Sequence, residues 1–187
     1  RDDRERQKGV HQVTFEQKSY KALGRFKENV RPSCWQYLDR DIDEHTPQEI
    51  ASLSDDEWIA AVGKVMPGFA NTSYCRVTST SSRVLLEGEP VGAGNAHVWF
   101  KVQNPDDIER FRTAFVVRAA ELGMTWLKPR YSRSERGKII GQSLTTLADT
   151  SVFTAGRMTF VGKPVVTGDL TVAPQSASVQ QGKLDAF

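Results

Sequence analysis

Apolar residues along this chain recur at two spacings, and each spacing predicts its own kind of element. Phe15, Tyr20, Leu23 and Phe26 return at roughly helical intervals and predict an amphipathic helix, ended by the segment Asn29 to Pro32. Cys34 to Leu38 reads as a strand that runs straight into acidic residues. Thr46-Pro47 reads as an N-cap followed by proline at the first helical position. Ser54-Asp-Asp-Glu57 is a capping box ahead of Trp58, Ile59 and Val62, and Pro67-Gly68 closes that helix. Tyr74 to Thr78, Arg83 to Leu86 and His97 to Val102 read as strands, the last two joined by the turn-rich stretch Glu87 to Gly94. Asn104-Pro105-Asp106-Asp107 starts a helix whose apolar stripe is Ile108, Phe111, Phe115, Ala119 and Leu122, with Gly123 as its C-cap. Further on, Trp126 to Tyr131 predicts a short strand, Gln142 to Ala148 a short helix and Arg157 to Val161 another strand. The tail from about Thr167, rich in Ser, Gln and Val, reads as loosely structured or as an edge arm. Strands mixed with helices of this length predict an α+β fold with a mostly antiparallel sheet flanked by helices.

Composition narrows this only a little. A chain of 187 residues with 39% hydrophobic content can bury a core as one domain. A net charge of +2 identifies no partner, so any basic surface has to be local. Two cysteines are too few for a disulfide framework or a zinc cluster; Cys34 and Cys75 read as buried thiols, in keeping with a reducing cytoplasm. No run approaches the roughly 18 apolar residues of a membrane helix, so no membrane partner is expected, and no signal peptide is visible. The chain opens at Arg1 instead of Met, which reads as a piece of a longer protein or a processed one. The division expected is a charged segment and helix over 1–30, a core over 31–170 and a tail or linker over 171–187.

Four segments carry candidate chemistry. In Trp35-Gln-Tyr-Leu-Asp-Arg-Asp-Ile-Asp43, a continuing strand would aim Asp39 and Asp41 at one point with Arg40 facing away. Converging carboxylates repel unless a cation lies between them, and hard oxygen donors suit Mg²⁺ or Mn²⁺. Taken alone, the segment reads more readily as a strand ending in a solvated acidic turn. In the strand around His97, Asn95, His97, Trp99 and Lys101 share a face opposite Val98, Phe100 and Val102. The polar face suits phosphate, with Thr78-Ser-Thr-Ser-Ser-Arg83 adding hydroxyls and a guanidinium, although a solvated polar face has the same pattern. Lys128, Arg130, Arg133, Arg136 and Lys138 interleave with Tyr131 and a single acid, and read as a phosphate-backbone contact or a solvated basic loop. Asp149 lies between apolar residues, where an isolated aspartate is more often a cap than a ligand.

The order of these segments is more specific than any one of them. Asp-x-Asp, then a hydroxyl-rich segment and a strand histidine, then a basic loop, then a single Asp, resembles the archaeo-eukaryotic primase superfamily. The resemblance is to primase-polymerase domains of phage and plasmid replication proteins. It rests on Tyr37 to Pro47, Ser79 to Arg83, Asn95 to Phe100, Ala148 to Phe153 and Arg157-Met-Thr-Phe-Val-Gly-Lys-Pro164, and spans about Trp35 to Leu170. It implies an RRM-like catalytic core performing two-metal nucleotidyl transfer with Mg²⁺ or Mn²⁺, in which positioning and charge neutralisation carry catalysis. Asp39, Asp41 and Asp149 would be the catalytic metal ligands. His97 would contact the phosphates of an incoming NTP or dNTP, with Ser81, Ser82, Arg83 and Lys101 nearby, and Lys128, Arg130, Arg133, Arg136 and Lys138 would contact a single-stranded DNA template. Trp99 and Tyr131 are candidates for base stacking. Asn95 stands where many relatives have serine, and Asp43 makes the acidic motif a triple and is left outside the metal shell. The resemblance further implies a bacterial host cytoplasm, a mobile-element origin and a replicative helicase domain elsewhere in the full-length protein. Two other classes are weighed: a non-catalytic nucleic-acid-binding replication-initiation module with the same fold, and a rolling-circle nuclease. The latter needs paired histidines, and His11 and His45 fall outside any His-x-His pattern.

Overall fold

The computed structural model describes residues 10–15, 17–23, 32–91, 95–154 and 162–182. In chain order the elements are strands β1 (Val10–Phe15), β2 (Lys18–Leu23) and β3 (Trp35–Asp39), helices α1 (Gln48–Ala51) and α2 (Asp55–Val65), and strands β4 (Tyr74–Thr78), β5 (Val84–Leu86), β6 (Glu89–Pro90) and β7 (Ala96–Lys101). Helix α3 (Ile108–Glu121) follows, then β8 (Thr125–Tyr131), β9 (Ile139–Thr146), β10 (Leu170–Val172) and β11 (Ala177–Gln180). The fold is α+β, and every strand pairing among the described residues is antiparallel.

The main sheet has the order β11-β4-β7-β3. Because β3 and β4 are each antiparallel to β7, they run parallel to one another with β7 between them, and the chain passes from one to the other through α2. This is a split βαβ arrangement. Alternation along β7 sorts its side chains as the sequence predicts: Ala96, Val98 and Phe100 are buried. Val98 and Phe100 join Leu38 from β3, Trp58 and Val62 from α2, and Phe115 and Phe153 in one core.

Helix α2 starts where its cap dictates. The Ser54 hydroxyl accepts from the Glu57 amide at 3.3 Å, and the Ser54 amide donates to the Glu57 carboxylate at 2.8 Å, which completes the expected capping box. Ser54→Ala is expected to cost about 1 kcal/mol, read as a lowered midpoint with unchanged slope in urea unfolding. Gly123 ends α3 at a φ of +70°, as a glycine C-cap should.

Three expectations are revised. The helix over Phe15 to Phe26 is instead the β1–β2 hairpin as far as it is described, with Val13 opposite Tyr20 and Phe15 opposite Lys18, and Gln17 at a φ of 61° in the turn. Phe26 lies outside the described residues. The branched residues Val10, Val13 and Thr14 fit paired strands better than a helix. Gln142 to Ala148 is not a helix, since β9 runs to Thr146 and pairs with β8. Ile139, Ile140, Thr145 and Thr146 supply the β-branched content that favours it. The two cysteines are free and half-buried. The strand predicted over Arg157 to Val161 and the charged stretch Arg1 to Lys8 lie outside the described residues. The tail is an edge arm: β10 pairs with β5, and β11 forms the edge of the main sheet against β4. No described helix is long and apolar enough to cross a membrane.

Candidate functional site

Strand β3 delivers Asp39 as its last residue, and the antiparallel register sets it directly opposite His97 on β7. The two side chains meet, with His97 Nε2 3.4 Å from Asp39 Oδ1. His97 is 9% exposed. Burial pushes its pKa below the ordinary histidine value, so at pH 7 the imidazole faces Asp39 neutral, as a hydrogen-bonding group. Tyr37, two residues before Asp39 on the same strand face, meets His97 edge-on at 5.7 Å and stacks on Trp99 at 4.8 Å.

Asp149 joins this pair from the far end of the chain. Its amide donates to the Asp39 carbonyl at 2.9 Å. Its carboxylate caps the 3-10 turn Thr150–Phe153, accepting from the Ser151 amide at 2.8 Å and the Ser151 hydroxyl at 2.7 Å. Asp39, His97 and Asp149, far apart in sequence, therefore share one end of the β3–β7 pair.

Asp41 departs from its expected geometry. The strand stops at Asp39, so alternation no longer governs which way Asp41 points. The loop is fixed instead by Asn95, whose side-chain oxygen accepts from the Ile42 amide at 3.2 Å and whose amide lies 3.5 Å from Asp41 Oδ1. Arg40 faces inward: it is 5% exposed, donates to Asp55 at 2.9 Å and to the Leu53 carbonyl, and lies 5.9 Å over the Trp58 ring. Asp43 accepts from the His45 amide at 2.9 Å and forms an ion pair with Lys128. Burial opposes ionisation of Asp43, but the hydrogen bonds from Lys128 and His45 and their nearby charges outweigh it and hold the carboxyl below its usual range. On Lys128, the hydrogen bond to Asp43 outweighs burial, and the charges of Asp43, Asp41 and Glu44 add to it, so the ammonium is held above its ordinary value.

Between the acidic loop and the β8–β9 ribbon lies a cleft of about 380 Å³, into which Asp41, Asp43 and Asp149 face together with Lys128, Arg112 and Ser151. Arg112, on α3, had no sequence signal: it sits in an ordinary helical run four residues after the buried Ile108. The donor chemistry of Asp39, Asp41 and Asp149 fits a hard divalent cation. In the conformation described, however, no three His, Cys, Asp or Glu side chains among the described residues stand close enough together to hold one ion.

The other expected contacts are dispersed. Ser79, Ser81 and Ser82 form a hydroxyl network (2.9 Å from Ser79 to Ser82), and Ser82 donates to the Asn95 carbonyl at 2.9 Å, which ties this turn to the acidic loop's anchor. Arg83 is buried and donates through Nε to the Ala173 carbonyl at 3.0 Å, where it fastens the chain leading out of β10. Lys101 is opposite Trp35 at the other end of β7, four residues and so roughly 13 Å along the strand from His97. Arg130, Arg133, Arg136 and Lys138 lie on the ribbon or its turn, with Lys138 bonded to Glu135 at 2.8 Å. Set against protein-family models, curated proteins and solved structures, the chain has no match.

Proposed function

We propose that the domain is a nucleotidyltransferase of the primase-polymerase kind, making or extending short primers on single-stranded DNA from NTP or dNTP with Mg²⁺ or Mn²⁺. The observation that carries this reading is the gathering of Asp39, His97 and Asp149 at one end of the β3–β7 pair. These are the positions that the order of motifs selects. The split βαβ arrangement of β3, α2, β4 and β7 is compatible with an RRM-like core.

In this reading Asp39, Asp41 and Asp149 hold divalent cations, which supply charge neutralisation at the triphosphate and lower the pKa of the attacking hydroxyl. The chain's own residues do the positioning. Neutral His97 donates a hydrogen bond to a phosphate oxygen without adding charge. Asn95 holds the loop that presents Asp41, and Arg112, beside the acids in the cleft, balances phosphate charge. Arg130, Arg133 and Arg136 follow the template backbone.

Extension of a labelled primer on a single-stranded template tests this directly. Incorporation is expected with Mg²⁺ or Mn²⁺ and is expected to fall to background with a chelator. A second reading is favoured by the spacing of the acids, which leaves no three-ligand group among the described residues. It is a non-catalytic nucleic-acid-binding replication-initiation module. Binding to single-stranded DNA with no incorporation and no heat of Mn²⁺ binding selects that second reading over the first.

A further inference from the structure

Strands β8 and β9 pair only with each other among the described residues, and a two-stranded ribbon is marginal without support along its length. Helix α3 contacts both strands, and two side-chain contacts from the loop after β3 add to that support. Lys128 pairs with the Asp43 carboxylate, the two side chains being 31% and 23% exposed. Tyr131 stacks with His45, with 6.5 Å between ring centroids and 28° between planes. In a regular strand, residues three apart face opposite sides. The register shift between Arg130 and Tyr131, where the partner passes from Gly141 to Ile139, adds twist and lets both side chains reach the same loop. The loop end is itself rigid, because the Asp43 amide donates to the Thr46 hydroxyl at 3.0 Å and the Asp43 carboxylate accepts from the His45 amide at 2.9 Å.

We infer that Asp43 and Lys128 are a positioning pair that docks the β8–β9 ribbon on the loop carrying Asp41 and sets the width of the cleft between them. Lys128 is then an internal anchor and not a template contact, and the cations left for the template are those nearer the ribbon tip. Asp43, the third acid of the motif, has a role separate from Asp39 and Asp41. What the ribbon positions rests on the primase reading above; the docking itself does not.

The test compares the intact chain with Asp43→Asn, Lys128→Met, Lys128→Arg and the charge-exchanged double variant Asp43→Lys with Lys128→Asp. Amide hydrogen exchange over 126–131 and 139–145 is expected to speed up by about tenfold in Asp43→Asn and Lys128→Met. It should stay near the starting rate in Lys128→Arg and return towards it in the double variant. In primer extension, the same two single variants are expected to raise KM for template several-fold together, with kcat changed less than about threefold. A different pattern overturns the pair: Lys128→Met alone raising KM, Asp43→Asn leaving or lowering it, no rescue by exchange, and ribbon exchange rates unmoved. That pattern makes Lys128 a direct phosphate contact. A chain that incorporates no nucleotide refutes the primase reading, while the exchange rates still decide whether the pair docks the ribbon.

Discussion

Converting Asp39 and Asp41 together to asparagine is expected to lower nucleotide incorporation by on the order of 10³-fold or more, because charge stabilisation in the transition state is lost at both positions. The same change should leave folding almost untouched. Beyond its side-chain contact with His97 at 3.4 Å, which an asparagine oxygen can also make, Asp39 contributes to the fold through its backbone, which pairs with His97 across β3–β7 and accepts from the Asp149 amide at 2.9 Å. An asparagine keeps both. Asp41 meets Asn95 at 3.5 Å, a contact that an asparagine oxygen can also make. The double variant should therefore melt within about 2 °C of the parent, since 1 kcal/mol corresponds to a shift of this order in a chain of this size. Steady-state extension assays and a thermal melt measure the two quantities side by side. Activity within about threefold of the parent would remove these acids from the reaction and with them the metal assignment. The comparison with Asp43→Asn is informative, because that residue is engaged with Lys128 and is expected to change KM more than kcat.

Most of the scaffold was legible because its signals are local. The capping box at Ser54, the strand Tyr74–Thr78 and the glycine at position 123 each report on residues within one turn or one strand. The face alternation of β7 was equally readable, since Val98 and Phe100 go to the core and His97 does not share their face. The hairpin β1–β2 reads as a helix because Phe15, Tyr20 and Leu23 fall at helix-like intervals by coincidence, and its turn, with Gln17 at positive φ, lacks the Asn-Gly signature that announces such turns. At the site, chain order selected Asp39, His97 and Asp149, which the sheet register and one backbone hydrogen bond bring together. The rest was beyond local reading. Arg40 reads as an outward-facing residue between two acids, yet its guanidinium turns inward and donates to Asp55 and to the Leu53 carbonyl. Those partners are set by how α1 meets α2, which no spacing around Arg40 encodes. Arg83 reads as a partner of the phosphate-binding hydroxyls, because nothing near it in sequence signals that the chain folds back to bring the Ala173 carbonyl to it. Lys128 reads as one of a basic run, although Asp43, its partner, lies far upstream.

Trp58 is where the core and the acidic residues are mechanically joined, and its removal should have the largest effect on stability. The side chain is 0% exposed, its indole N–H donates to the Leu147 carbonyl at 2.6 Å, and its ring lies 5.9 Å beneath the Arg40 guanidinium. Leu147 is two residues from Asp149, and Arg40 separates Asp39 from Asp41. Trp58→Ala is expected to cost about 3 to 5 kcal/mol, the usual penalty for emptying a large buried aromatic site. This corresponds to a fall of roughly 10 °C in melting temperature. Trp58→Phe separates the two roles. It keeps most of the apolar volume but leaves the buried Leu147 carbonyl without its donor, at about 1 to 3 kcal/mol. Because that carbonyl lies two residues from Asp149, Trp58→Phe is expected to reduce kcat several-fold at a temperature where the variant is fully folded. Denaturant unfolding gives the stability change, and extension kinetics at 20 °C below the melting point give the catalytic one. A phenylalanine variant that is destabilised but retains the parent kcat and KM would confine Trp58 to the core. A loss of kcat beyond what the unfolded fraction accounts for would mean that the position of Asp149 is transmitted through the indole hydrogen bond.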